Sequence, residues 1–183
     1  MALVSVRFCP ACGSDGFGAI DGEALHPKEY RCDRCGFVYF HNVTVAAAAI
    51  LEAEGQVLMV VRAKEPAQGK LDLPGGFVDP GETAEQALLR ELEEELGLQL
   101  SVPHRYLCSS VNDYPYGGVM YHSLDLFYLV RLAEKPVLNP ADDVAGYLWC
   151  ELDAIAAEAI AFQSVRDALQ AYGDGLKDLE TET

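Results

Sequence analysis

Residues 76–98 read Gly-Phe-Val-Asp-Pro-Gly-Glu-Thr-Ala-Glu-Gln-Ala-Leu-Leu-Arg-Glu-Leu-Glu-Glu-Glu-Leu-Gly-Leu. Three of these carboxylates, Glu91, Glu94 and Glu95, are spaced i, i+3, i+4, which puts them on one face of a helix. Carboxylates this close repel one another, and the Glu91–Glu95 pair alone costs an isolated helix roughly 0.2–0.5 kcal/mol. A hard cation turns that repulsion into attraction. Mg²⁺ and Mn²⁺ prefer carboxylate and water oxygens, and Mg²⁺ often completes its shell with phosphate. The residue types and spacing therefore suit a divalent metal held against a diphosphate. Arg90 can reach Glu94 at i,i+4, or Glu82 across the preceding turn, and brace the cluster. Glu93 falls on the opposite side of the helix.

The flanking residues define the elements that hold these side chains. Pro74, Gly75, Gly76, Pro80 and Gly81 read as a tight turn, unsuited to strand or helix. Thr83 is an N-cap, and Gln86 three residues later completes a capping box. Gly97 is a C-terminal stop. The helix is predicted over 84–96, with Leu88, Leu92 and Leu96 as its core stripe. Ala84 and Ala87 leave room beside the glutamates.

Gly76 to Leu98 meets every position of the pattern Gly, five residues, Glu, seven residues, Arg-Glu-apolar-x-Glu-Glu-x-Gly-apolar. This string resembles the Nudix box. The resemblance implies an α+β fold, a Nudix α/β/α sandwich around a mixed β-sheet. It implies metal ligation by Glu91, Glu94 and Glu95 with a backbone carbonyl from Gly75 or Gly76, and bracing of loop and helix by Glu82 and Arg90. The implied activity is a Mg²⁺- or Mn²⁺-dependent hydrolase. It would cleave the diphosphate bond of a nucleoside diphosphate linked to another moiety, such as NADH or ADP-ribose, with metal-activated water. The proton from that water would pass to a carboxylate, Glu94 or Glu95 on the helix, or Asp142 or Asp143 in a late loop as in some members of that family. Three alternatives stay open: a nucleotide-binding sensor or regulator on the same fold without hydrolysis, a dinucleoside polyphosphate hydrolase, and a nucleic-acid decapping enzyme, for which the acidic balance counts against extensive RNA contact but not against a free cap end. A sensor would be expected to lose box residues, and none is lost here.

Cys9-Pro-Ala-Cys12 and Cys32-Asp-Arg-Cys35 are two C-x₂-C pairs with 19 residues between them, each followed by a glycine. Two such turns can close a tetrahedral thiolate shell around Zn²⁺. Four protein ligands leave no open position, so this zinc would be structural. A zinc ribbon is predicted over residues 1–40, ahead of a Nudix domain over 41–183, and it resembles the ribbon of the NADH pyrophosphatase branch. Cys108 and Cys150 stand apart and read as core residues.

The chain has 183 residues, half of them hydrophobic, with 13 basic and 29 acidic residues and a net charge of −16. That balance argues against an extensive nucleic-acid surface. It permits a small anionic substrate, because bound metal reverses the local sign. The longest apolar run, Val43 to Leu51, is too short to span a bilayer. The first residues lack the basic and apolar regions of a signal peptide, so a cytoplasmic location with no membrane partner is expected. The sequence leaves a homodimer open.

Outside the box, Val43–Glu52 and Gln56–Arg62 read as strands joined by Ala53-Glu54-Gly55. Leu71–Leu73 reads as a short strand. Gln99–Val111 and Val119–Leu132 read as long strands around an Asn112–Gly118 loop, and Gly146–Cys150 as a further strand. Leu152–Glu158 and Ser164–Ala171 read as helices, and Thr181–Thr183 as a frayed tail. Arg62 ends its strand near the glycine turn and could meet a phosphate. Lys64 and Lys70 read as surface, and His104 and His122 are given no role. Phe77, Tyr114, Tyr116, Tyr121 and Phe162 could stack on a base. Ser110-Val111-Asn112-Asp113-Tyr114-Pro115-Tyr116 keeps the serine and the aromatic–Pro–aromatic core of the NADH pyrophosphatase motif. It lacks that motif's Gln, Trp and two prolines, so it does not select NADH.

Overall fold

The computed structural model describes residues 6–20, 27–100 and 104–181. The chain divides into two compact units, one of residues 1–43 with 117–120, the other of 44–116 with 121–183.

The first unit is a three-stranded antiparallel sheet of β1 (Phe17–Ala19), β2 (Glu29–Cys32) and β3 (Val38–Phe40). Its apolar core is small. Phe17 stacks on Tyr30 at 5.7 Å, beside the buried Cys9 and Cys32.

The second unit is built on a mixed sheet. Its strands are β4 (Thr44–Ala53), β5 (Gln56–Arg62), β6 (Leu71–Asp72), β7 (Gly75–Phe77), β8 (His104–Tyr116), β9 (Val119–Arg131) and β10 (Val144–Cys150). The spatial order is β10-β5-β4-β9-β8, with β6 on β5 and β7 on β4. β4 runs parallel to β9 and antiparallel to β5 and β7. Helix α1 (Ala84–Leu96) covers one face and α2 (Gln163–Thr181) the other. The central strands are apolar on both sides, which is why they read as continuous runs. Ala47, Ala49, Leu51, Leu58, Val60, Tyr128 and Val130 meet Ala87, Leu88, Leu92 and Leu96 of α1. Their alternates Ile50, Val57, Met59, Phe127 and Leu129 meet Val165, Ala168, Leu169 and Tyr172 of α2. Each of the three fully buried α1 leucines contributes about 1.5–3 kcal/mol of burial. Cys108 and Cys150 pack half-buried beside the α2 cluster.

α1 has the predicted bounds and caps. Thr83 Oγ1 accepts from Gln86 N, Gln86 Oε1 accepts from Thr83 N, and Gly97 closes the helix in the left-handed region. Elsewhere the structure corrects the sequence reading. Residues 75–77 are not simply turn; they form β7, pairing Gly75 with Ala48 and Phe77 with Ala46. Small residues on both strands permit this close approach. The first hairpin turns on Glu54-Gly55 alone, both at positive φ, because Ala53 pairs with Gln56. Such a two-residue turn follows the twist of its strands. The Asn112–Gly118 loop is replaced by strand to Tyr116 and a Gly117-Gly118 turn, again with both φ positive. In the strand read over Gln99–Val111, Gln99 and Leu100 lie outside β8 and residues 101–103 lie outside the described residues. Leu152–Glu158 is two 3-10 turns, Leu152–Ala154 and Ala157–Ala159. Extended backbone at Ile155 and Ala156 separates them, and Ile155 and Ile160 both pack in the α2 cluster. Tertiary packing here overrides helix propensity. α2 begins at Gln163 and continues past Ala171 through Gly173 and Gly175. The absence of a Cβ at Gly173 suits its contact with Leu152, whose Cδ2 would lie 2.9 Å from one. Of the tail read over 181–183, Thr181 is the last helical residue and 182–183 lie outside the described residues.

Candidate active site

The box glutamates meet the glycines of β7 by close packing. Glu95 is 6% exposed, and its Oε2 accepts from Gly75 N at 2.9 Å. Burial pushes its carboxyl up to about 8; the Gly75 bond opposes this, and Glu91, Asp72 and Asp143 add to it. Glu91 is raised too, first by burial, with Arg90 pulling the other way. A Cβ on Gly76 would lie 2.4 Å from Glu91 Oε1, and one on Gly75 would lie 2.2 Å from Ala47 O. No side chain fits at either glycine without displacement.

Arg90 binds every partner the sequence offered and more. Its Nε and Nη2 donate to the two oxygens of Glu82 at 2.9 and 3.0 Å. Nη1 donates to Glu91 at 2.7 Å and Glu94 at 3.0 Å, and Nη2 also donates to the Phe77 carbonyl. These carboxylates, Glu82 foremost, raise the Arg90 pKa, and Arg90 lowers that of Glu82. Glu94 is half exposed. Glu93 lies apart and accepts from Gln99 Nε2.

Glu91, Glu94, Glu95, Gly75, Gly76 and Arg90 line a cavity of about 360 Å³, which Asp142 and Asp143 also line. Lys64 lies at the surface, as read, and there pairs with both aspartates, at 3.0 Å to Asp142. Arg62, Phe77, Tyr114 and Phe162 line the same cavity. Tyr114 packs edge-on to Phe77 and tilted to Phe162, each at 5.5 Å. Tyr116 stacks on Tyr114 at 6.3 Å but is exposed and lies outside the lining, as does Tyr121. Arg62 is largely engaged: Nη1 donates to Asp72 at 2.8 Å, Nε to the Pro66 carbonyl, and Nη2 to the Tyr114 hydroxyl. It lies 4.9 Å from the Phe162 ring centre, so it orients the aromatic wall.

In the first unit, the sulfurs of Cys9, Cys12, Cys32 and Cys35 all lie within 4.8 Å of one another, and none is in a disulfide. Cys9–Cys35 and Cys12–Cys32 are 3.7 Å apart. A tetrahedral zinc with ordinary Zn–S bonds sets an edge of about 3.8 Å. Gly13 N donates to the Cys9 carbonyl and Gly36 N to that of Cys32, shaping two equivalent knuckles. Backbone N–H groups, Cys35 first, bring the Cys32 thiol down to about 7, while the Cys35 thiol goes up to about 12, the Phe37 N–H being outweighed there by burial and the neighbouring sulfurs; the metal-free cluster thus favours a thiolate at Cys32 over one at Cys35. The four cysteines fit zinc.

The NUDIX domain model matches residues 40–171, most of the chain. The chain belongs to the Nudix family. It is 26% identical over 166 residues to the NAD-capped RNA hydrolase NudC of Stutzerimonas stutzeri strain A1501, covering 91% of this chain and 55% of that protein. The chain thus spans about half the length of this curated relative. A shorter match, 42% identical over 71 residues, is to the ADP-ribose pyrophosphatase of Methanocaldococcus jannaschii, covering 39% of this chain and 38% of that one. The crystal structure of a NUDIX hydrolase from Nitrosomonas europaea superposes with a TM-score of 0.65 at 26% identity, covering 89% of this chain and 88% of that one.

Sequence reasoning missed part of this Nudix cavity. Asp72, Asp79, Asn112, Ser123, Asp125 and Ser164 also line it. Asp72 is buried; its carboxyl is pushed up to about 6 by burial and held back by Arg62. Asp125 accepts from Ser123 and Ser164 hydroxyls, each at 2.7 Å. The available signal was a charge inside an apolar strand, in Leu71-Asp72-Leu73 and Leu124-Asp125-Leu126-Phe127. Among the described residues no helix is long and apolar enough to cross a membrane.

Proposed function

We propose that this chain is a divalent-metal-dependent hydrolase of the diphosphate bond in a nucleoside diphosphate linked to a further moiety, of the ADP-ribose or NADH kind. The observation that carries this reading is the Glu91/Glu94/Glu95 cluster packed on Gly75 and Gly76 at one end of an aromatic-walled cavity. Carboxylate oxygens crowded against one another, with one guanidinium between them, fit a hard cation. Bound Mg²⁺ or Mn²⁺ would neutralise the diphosphate oxygens and make water more acidic. Glu91, Glu94 and Glu95, with the Gly75 or Gly76 carbonyl, are the proposed ligands. Arg90 keeps three carboxylates in place, Glu82 among them. Glu94, the most exposed of the three ligands, and Asp142 or Asp143, beside Lys64, are the groups proposed to take the proton. Phe77, Tyr114 and Phe162 supply ring faces for a base. The names of the relatives support the substrate class: one acts on NAD-capped RNA, another on ADP-ribose. The Cys9/Cys12/Cys32/Cys35 site of the ribbon is proposed to hold structural Zn²⁺.

The test is a product screen over NADH, NAD, ADP-ribose, sugar nucleotides, dinucleoside polyphosphates and coenzyme A with Mg²⁺ or Mn²⁺. Turnover of an adenine-containing diphosphate, lost in Glu94→Gln and Glu95→Gln variants that still fold, is the expected result. Absence of turnover on every compound would overturn the reading.

A further inference from the structure

Asp125 is 9% exposed, lies on the α2 side of the sheet with Phe127, and opens on the cavity. Its Oδ1 accepts from Ser123 and its Oδ2 from Ser164. Both hydroxyls point their protons at Asp125, so two of about four acceptor positions on the carboxylate are filled. Among the described residues Asp125 enters no ion pair, while Arg62 is paired with Asp72. Ser164 stands in the first turn of α2. A pair of serines could be clamped equally well by an uncharged amide. Burying a charge with no cation is costly unless a partner arrives to meet it. The cavity therefore presents a rigid group that only accepts hydrogen bonds.

The register places this group. Ala46 of β4 pairs with Phe77 on one side and Asp125 on the other. Asp125 is thus two strand spacings, about 10 Å, from the β7 backbone that backs the glutamates. That is too far to touch a diphosphate held there and near the length of one nucleoside. Phe127, Phe162 and Tyr114 line the same cavity. We infer that Asp125 reads the base: it accepts from the exocyclic NH₂ of a flat heteroaromatic ring, the adenine amine or the nicotinamide carboxamide. A base with a carbonyl oxygen in that place meets acceptor with acceptor and is refused. The inference rests on the hydrolase reading above.

The experiment compares two substrate pairs on the full chain. ADP-ribose is set against its hypoxanthine counterpart, and NADH against the reduced analogue whose carboxamide NH₂ is replaced by methyl. In one pair the amine-bearing member should win in kcat/KM by at least about tenfold, the low end for a hydrogen bond to a charged group. That pair identifies the base that is read. Asp125→Asn is isosteric and can still bond both serines, and in this variant the ratio should fall toward one. Ratios near one for both pairs in the unaltered chain would overturn the inference. So would an Asp125→Asn variant whose ratio stays that of the unaltered chain, whether both members keep their turnover or lose it equally, the mark of a purely structural clamp. If no substrate is turned over, the hydrolase reading falls by itself. The same ratios, measured as affinities by calorimetry with Ca²⁺ in place of Mg²⁺, then decide the role of Asp125.

Discussion

Gly75 and Gly76 are adjacent, yet replacing each by alanine should fail in different ways. A Cβ at residue 75 would lie 2.2 Å from Ala47 O and 2.5 Å from Ala48 Cα, at a φ of +142°. Both obstacles are main chain of a central strand, so β7 must lift off β4. Overpacking and backbone strain together put the cost at roughly 2–5 kcal/mol, which lowers Tm by on the order of 10 °C for a domain of this size. At residue 76 the three nearest atoms to the Cβ all belong to the Glu91 carboxylate, at 2.4 to 2.9 Å. Ordinary contact begins at 3.4 Å, so the nearest oxygen must retreat by 3.4 − 2.4 = 1.0 Å. The end of a glutamate can do that if its 2.7 Å bond to Arg90 readjusts. Stability should change by only about 1 kcal/mol, as for a small overpacking strain. A displacement of 1 Å in a group that positions reactants can cost about 100-fold in rate. Gly76→Ala should therefore melt near the unaltered protein, bind Mg²⁺ more weakly and lose about two orders of magnitude in kcat. Differential scanning fluorimetry and a Mg²⁺ titration of the rate read both quantities. A Gly76→Ala protein with full kcat and unchanged metal dependence would refute the claim that this contact sets Glu91.

Glu95 titrates near 8 because the fold favours its protonated form. In metal-free protein its stabilising contribution is complete below about 4.5 and declines as pH rises through 8, and Asp72, near 6, acts in the same sense. Metal requires the carboxylate, so Mg²⁺ binding at pH 7 should release close to one proton, read by calorimetry in buffers of different ionisation heat; no release would sink the assignment. Arg62→Met leaves Asp72 buried without its cation and should cost about 3–5 kcal/mol, seen as a lower denaturation midpoint; an Arg62→Met/Asp72→Asn double variant should recover part of it. Cys12→Ser should abolish the stoichiometric zinc measured by elemental analysis, while the unaltered chain retains about one zinc. Arg90→Lys keeps the charge but not the fork that binds Glu82, Glu91 and Glu94 together, so kcat should fall with little change in Tm, and full activity would count against a positioning role.

The site was legible where its chemistry is local. Thr83, Gln86 and Gly97 cap α1 by bonds spanning a few residues, so the sequence alone places the helix and the phase of its glutamates. The four cysteines are legible for the same reason, because each knuckle is closed by its own glycine. What depends on distant strands was not legible. Asn112–Tyr116 reads as loop from its polar and proline content, yet β9 holds it as strand. Lys64 is surface, as its sequence reads, but its pairing with Asp142 and Asp143 exists only once the fold brings them together. Leu152–Glu158 has helical composition, and only the demands of Ile155 and Ile160 in the α2 core break it in two.

Ala46 to Ala49 shows how the two kinds of information join. Four alanines in a strand look like weak β-formers, and nothing in their sequence points to chemistry. In the sheet they are what allows the glycines to come close. β7 lies on β4 through Gly75–Ala48, Gly76–Ala47 and Phe77–Ala46, and larger residues on β4's α2 side would fill the cavity. That approach sets the Gly75 N–H against Glu95 and leaves Gly76 under Glu91. On its other edge Ala46 pairs with Asp125. One short-side-chain stretch thus spaces the glutamate end of the cavity from the Asp125 end. A valine at Ala48 would separate two effects: intrusion into the cavity should weaken substrate binding, and strain on Gly75 should disturb Glu95. Mg²⁺ affinity unchanged with KM raised would assign Ala48 to the substrate, and the reverse pattern would assign it to the metal.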